Sequence, residues 1–205
     1  MFRKLFNPDN GLMITMTQIT DCVFLSLFWI LGCFPVVTAG ASSAALYDSA
    51  FRAYRQGDKH PWQRFWQVFK DNWKEGILPT AVFLLVFAAL AKGLIRLWNA
   101  AVYGEISWMV FSGGAFVGVV VLGILSVLFP MLSRFQNSVW NLLKNTVLLA
   151  LANLPRTILL GALNAAAGLL CVRYVFPLFF LPALAALLST LLIEPMFKPY
   201  TNAAE

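Results

Sequence analysis

The chain has 205 residues, 60% hydrophobic and 12% charged, with 15 Lys and Arg against 9 Asp and Glu for a net charge of +6. A soluble domain of this size needs a far more charged surface, and the apolar runs lack the polar face of a soluble amphipathic helix. They also lack the alternation of membrane β-strands, so the composition leaves an all-α, polytopic helical membrane protein, a single integral membrane domain over 1–205.

A polar lead with Asn7, Asp9 and Asn10 precedes the first apolar run. That lead, together with Pro35 and the further spans downstream, argues for retention of the run rather than cleavage at "TAGASSAA". The first span is predicted over 13–36, where Asp21 requires an interfacial or protein-lined environment. Pro35 disfavours helix geometry at Phe34. Gly40 is able to adopt backbone angles closed to other residues, and its neighbours Ala39, Ala41, Ser42 and Ser43 permit close approach. The expectation is a packing elbow. The alternative is a discontinuous helix whose exposed backbone dipoles form a substrate or ion site between Pro35 and Gly40.

Segment 52–76 reads as a cytoplasmic, amphipathic, aromatic and basic helical stretch. In "HPWQRFWQVFKDNWKEG", Trp62, Phe65, Trp66, Phe69 and Trp73 recur at three- and four-residue spacings, with Lys and Arg filling much of the remainder. Such a helix lies in the headgroup region with its rings at the interface, or docks on a partner.

The second span is predicted over 77–97, where Lys92 and Arg96 extend their charged tips toward the interface. The third, over 107–132, carries no charge. The run that follows is too long for one crossing, and Pro155 divides it into an interfacial helix over 138–153 and a crossing over 156–173. A single kinked helix is the alternative. The fifth span covers 177–197, with Glu194 near its end. The total is about five transmembrane helices plus amphipathic cytoplasmic or interfacial helices. "FKDNWKEGILPT" and "LLKNTVLLALANLPRT" share Lys-Asn character before Leu-Pro at different spacings, and no repeat is assigned.

Loop charge orients these spans. Arg52, Arg55, Lys59, Arg64, Lys70 and Lys74 fall on one side with Arg134, Lys144 and Arg156. Arg3, Lys4, Lys92, Arg96 and Arg173 fall on the other. The positive-inside rule makes the richer side cytoplasmic, with the N-terminus outside and the C-terminus inside. The N-terminal "FRK" opposes this, and if it stays inside the first hydrophobic element is re-entrant or the span count changes. This loop bias also accounts for the basic balance without a nucleic-acid partner. Membrane lipids are the expected partners, and the oligomeric state is open.

Cys22, Cys33 and Cys171 lie in apolar segments without paired spacing and read as packing residues. His60 is the sole histidine and no cluster completes a metal site around it. There is no Walker loop, Gly-x-Ser-x-Gly elbow or His-Glu-x-x-His motif, so no catalytic residue, cofactor or metal is assigned. "SGGAFVG" lies inside an apolar span and reads as helix packing. Asp21, Asp48, Glu105, Glu194, Arg134, Arg156 and Arg173 stand near predicted boundaries as anchors or ion-paired groups. In a transport pathway Arg156 would attract an anion or pair with Glu194.

"CFPVVTAGASSAALYDS" over 33–49, "FWQVFKDNWKEG" over 65–76 and "LFPMLSRF" over 128–135 resemble the YesL family of small bacterial integral membrane proteins. With the order of the spans, the resemblance covers nearly the whole chain. It implies a bacterial cytoplasmic membrane location and, because such proteins often occur with sugar-uptake or polysaccharide-use genes, an accessory role beside a sugar-transport membrane component. It supplies no catalytic or ligand residues. The expected function is therefore an accessory or interaction component linked to carbohydrate uptake, not an enzyme. The alternative is a small-solute transporter or channel using the broken helix near Pro35 and Gly40. The structural or interaction candidates are Pro35, Gly40, Trp62, Trp66, Phe69, Trp73, Arg134 and Arg156.

Overall fold

The structure, a computed structural model, describes residues 11–58, 60–134 and 139–201, with side chains over 17–197. Among the described residues the elements are α1 (Gly11–Cys33), α2 (Ala39–Arg55), α3 (Pro61–Asn72), α4 (Ile77–Val102), α5 (Trp108–Arg134), α6 (Val139–Ala152), α7 (Leu154–Arg173) and α8 (Leu181–Thr201). A 3-10 turn at Phe176–Phe179 joins the last two. Among the described residues three helices, α4, α5 and α7, are long and apolar enough to cross a membrane. The chain is a helical, multi-pass membrane protein.

The break after α1 follows from Pro35. Lacking an amide hydrogen, it cannot serve the Leu31 carbonyl, which takes the Phe34 amide at 3.3 Å instead. The Gly32 carbonyl accepts the Thr38 hydroxyl at 2.6 Å. Val36, at φ 49°, turns the chain in the left-handed region that a β-branched residue rarely enters. The elbow is exposed and apolar: Phe34 is 88% exposed, and Val36 and Val37 stand beside it.

From the elbow α2 returns antiparallel to α1. Trp29 Nε1 donates to Ser43 Oγ at 3.1 Å, the Ser42 hydroxyl donates to the Trp29 carbonyl at 3.0 Å, and at the other end the Tyr54 hydroxyl donates to the Gln18 carbonyl at 2.6 Å. Thr38 gives α2 no side-chain cap. The cap comes from α4: Thr80 Oγ1 accepts the Gly40 amide at 3.0 Å and donates to the Gly76 carbonyl at 2.6 Å. A side chain on Gly40 would strike Thr80 and the Phe129 ring. Gly40 is thus a contact point between α2, α4 and α5.

Helix α2 is the centre of the bundle. Gly40, Ala41, Ser42 and every residue over 44–50 are buried. Ala45 and Leu46 join Leu25, Phe65, Val68 and Ala183 in one core cluster, drawn from α1, α2, α3 and α8. Ala44 and Tyr47 join a second, with Val127, Leu128 and Phe129 of α5, Leu142 and Leu149 of α6, Leu160 of α7, and Ile193, Met196 and Phe197 of α8. Small side chains let so many helices reach one axis.

Helices α4 and α5 form an antiparallel hairpin, with Leu97 over Gly114, Leu94 over Gly118 and Phe83 against Phe129. This is the packing role read from "SGGAFVG", although Gly113 faces open space. The tightest crossing lies further along. A Cβ on Gly123 would strike the Thr157 carbonyl, and one on Gly161 would strike the Val119 carbonyl, so α7 runs antiparallel to α5 with the backbones in contact.

The long apolar run after α5 forms two helices. They separate at Asn153, with Pro155 in the first turn of α7 and the Thr157 hydroxyl donating back to the Ala150 carbonyl at 2.8 Å. Ser138 lies outside the described residues. Segment 52–76 likewise is not one helix: α2 continues to Arg55, Gly57 turns the chain at φ 70°, and α3 begins at Pro61.

Candidate functional site

Charged side chains from α2, α3, α5 and α8 converge at one end of the bundle. Asp48 and Arg52 stand one turn apart on α2, and Asp48 Oδ2 accepts Arg52 Nε at 3.1 Å. The same oxygen accepts Arg64 Nε from α3 at 2.6 Å. The Asp48 side chain is only 4% exposed, against 24% for Arg64 and 40% for Arg52. A carboxylate this deep needs such partners, because an unpaired buried charge is strongly destabilising. Arg64 also donates from Nη1 to Gln67 Oε1 at 3.3 Å.

A second pair sits beside the first. Arg134, in the last turn of α5, donates from Nη2 to Glu194 Oε1 of α8 at 2.5 Å. Tyr47 donates its hydroxyl to the same oxygen at 3.1 Å. The Arg134 guanidinium lies over the Phe51 ring, 4.3 Å from its centroid. Asp48, Phe51, Arg52, Gln56, Arg64, Ser133 and Arg134 line a cavity of about 200 Å³. The cation therefore pins the ends of α5 and α8 to α2.

Arg134 is the sequence-derived candidate that enters this cluster. Glu194 pairs with Arg134 rather than with Arg156, because α8 brings its carboxylate to the end of α5. Arg156 stands exposed in the first turn of α7. Pro35 is exposed at the elbow and Gly40 is buried against α4 and α5. Neither belongs to the charged cavity. The sequence marks Asp48 as a boundary anchor or ion-paired group, and does not single out Arg52, Arg64 or Tyr47 as site residues. The four-residue spacing of Asp48 and Arg52 is a local signal, but Arg64 joins them only through the α2–α3 turn.

The aromatic residues of α3 divide by depth. Phe65 is 0% exposed and Val68 is buried, and both dock on α1 and α2. Phe69 is half-buried and stacks on Phe65 with ring centroids 6.3 Å apart. Trp62, Trp66 and Trp73 remain exposed. The helix thus has a docked inner edge and an exposed indole edge, because α3 is anchored on its own chain through Phe65 and Val68. Asp21, Thr20, Phe24, Leu25, Pro61 and Trp62 line a second cavity of about 190 Å³, the protein-lined setting that Asp21 requires. Among the described residues no group of three or more His, Cys, Asp or Glu could hold a metal ion.

Residues 22–94 match the model of a family described as "Protein of unknown function, DUF624". That stretch runs from the middle of α1 through most of α4 and contains Asp48, Arg52 and Arg64 of the charged cluster. No curated protein and no solved structure matches the chain.

Proposed function

We propose that the chain is an accessory or interaction component of the bacterial cytoplasmic membrane, belongs to the YesL family, and serves carbohydrate uptake beside a sugar-transport membrane component. The observation that carries the interaction reading is the mounting of α3. Phe65 and Val68 fasten the helix to α1 and α2, and Trp66 packs on Phe28 of α1, which leaves Trp62 and Trp73 outward on a rigid base. Exposed indoles held in this way suit a membrane-interface or protein contact. The link to sugar uptake rests on the family resemblance, two of whose three motif stretches, 33–49 and 65–76, lie inside the matched region 22–94.

The transporter alternative draws less support from the geometry. A discontinuous helix binds solutes through unsatisfied backbone groups. Here the Gly32 carbonyl is taken by Thr38 and the Gly40 amide by Thr80. The charged cavity and the one beside Asp21, of about 200 and 190 Å³, are each smaller than the roughly 300–1,000 Å³ of small-molecule sites.

The proposed topology follows the α1–α2 pairing. The start of α1 and the end of α2 meet at Tyr54, so the first apolar element and α2 form a re-entrant hairpin rather than a full crossing. The N-terminus then shares the basic, cytoplasmic side with Arg52, Arg64 and Arg134, while Glu105 faces outside. The crossings are α4, α5, α7 and α8, and the C-terminus is cytoplasmic. We infer this arrangement in preference to the outside N-terminus expected from loop charge and the five spans expected from the apolar runs; Arg3 and Lys4 themselves lie outside the described residues.

Two experiments test these readings. In a cysteine-free background, an impermeant maleimide applied to intact cells should label Glu105→Cys but neither Gln56→Cys nor Asn7→Cys. Labelling at Asn7→Cys overturns the hairpin topology. Affinity capture in mild detergent should recover a sugar-transport component with the wild type and lose it with the Trp62→Ala/Trp73→Ala variant. Failure to recover any such component, or saturable solute uptake by the purified chain in liposomes, overturns the accessory reading.

A further inference from the structure

The charged cavity holds more positive charge than its fold-stabilising pairs neutralise. Arg52, Arg64 and Arg134 line it with one carboxylate, Asp48, for a lining charge of +3 − 1 = +2. Glu194, which pairs with Arg134 from α8, lowers the local sum to +1. Asp48 meets Arg52 and Arg64 through Nε alone, and among the described residues no ion pair engages the Nη atoms of Arg52. Gln56 and Ser133 add an amide and a hydroxyl to the lining.

Holding three guanidinium groups around one opening costs electrostatic repulsion, and a single lining carboxylate relieves only part of it. Their planar forks suit the oxygens of a phosphate, which takes parallel N–H···O bonds. We propose that this cavity binds a phosphate group, that of a phosphomonoester or of a phospholipid head. The group sits against Arg52 and Arg134 while Asp48 holds Arg52 and Arg64 in place. Nothing in this assignment depends on a link to sugar uptake.

Binding is measured on the purified full-length chain in two settings at constant ionic strength. The first titrates inorganic phosphate and glucose 6-phosphate, against chloride, in a neutral detergent. The second compares thermal stability in nanodiscs of phosphatidylcholine with and without phosphatidic acid. Saturable stabilisation in the first setting identifies a soluble phosphate ligand, and stabilisation in the second alone identifies the headgroup; either supports the site. Arg52→Gln should weaken the response at least tenfold, with Arg52→Lys intermediate because an ammonium lacks the fork. Arg52 is the variant of choice because it is the most exposed of the three paired arginines, so the fold survives its loss. Arg134→Lys, which keeps a cation for Glu194, provides a second probe with the same expected direction. No phosphate-specific response in either setting, or a response that neither variant alters, overturns the proposal.

Discussion

A single methyl group on Gly161 tests the close crossing of α5 and α7. The added Cβ would strike the Val119 carbonyl and press on the Gly123 amide, both backbone atoms that no rotamer change can move aside. The helices must separate until the contact returns to van der Waals distance. That separation loosens Leu160, Thr157 and Val127, each fully buried. Carbon contacts are worth about 0.1–0.2 kcal/mol each, and overpacking a close-packed interior costs about 1–3 kcal/mol. Because the obstacle is backbone, we take about 2–3 kcal/mol. Alanine in place of glycine returns about 1 kcal/mol of helix propensity. The net loss is about 1–2 kcal/mol, roughly a 5- to 30-fold shift of the folding equilibrium. Gly93, Gly113 and Gly168 supply the control, since a Cβ at each meets nothing within 4 Å. Alanine there should be neutral or stabilising. The assay is thermal or denaturant unfolding of the purified protein in one detergent. If Gly161→Ala melts at or above the wild type while the control variants behave the same way, the backbone contact does not limit the packing.

The elbow is read by a double-mutant cycle: Gly40→Ala should destabilise, and Thr80→Ala should recover part of the loss by removing the side chain it strikes, although the trans cap goes with it. Additive losses in the same unfolding assay would count against the contact. Phe65→Ala should cost about 3–5 kcal/mol because its ring is fully buried between α1, α2 and α3, whereas Trp62→Ala and Trp73→Ala should leave stability nearly unchanged. Equal effects would mean that α3 is not anchored by its inner edge. Ser49 carries a buried hydroxyl without a hydrogen-bond partner, so Ser49→Ala should stabilise by about 1 kcal/mol, and a lower melting temperature would reveal a partner for it. Arg156→Lys should preserve accessibility across 150–160 while Arg156→Leu shifts it, since an exposed cation at the start of α7 sets the helix depth at phosphate headgroups. Unchanged labelling in the leucine variant would remove that anchoring role.

The membrane class and most helix positions follow from the sequence because each is a local matter. A run such as 108–132 contains no charge whatever it packs against. Pro35 and Pro155 each remove an amide hydrogen regardless of context, and both breaks stand where those residues predict them. What surrounds each helix is not local. Helix α2 looks far less apolar than α1, with Ala, Ser, Tyr47 and Asp48, yet it is the most enclosed. The apolar α4 and α7 keep most of their side chains on the outside. Lipid accepts Leu, Phe and Val as readily as a protein interior does, so hydrophobicity does not sort helices between the two. Small residues allow several backbones to approach one axis, and a buried carboxylate is tolerated only where cations from other helices reach it. Arg64 reaches Asp48 because the chain turns at Gly57, and Arg134 reaches Glu194 because α8 packs across α2. Those meetings depend on how the helices pack together, which no local stretch of the sequence records.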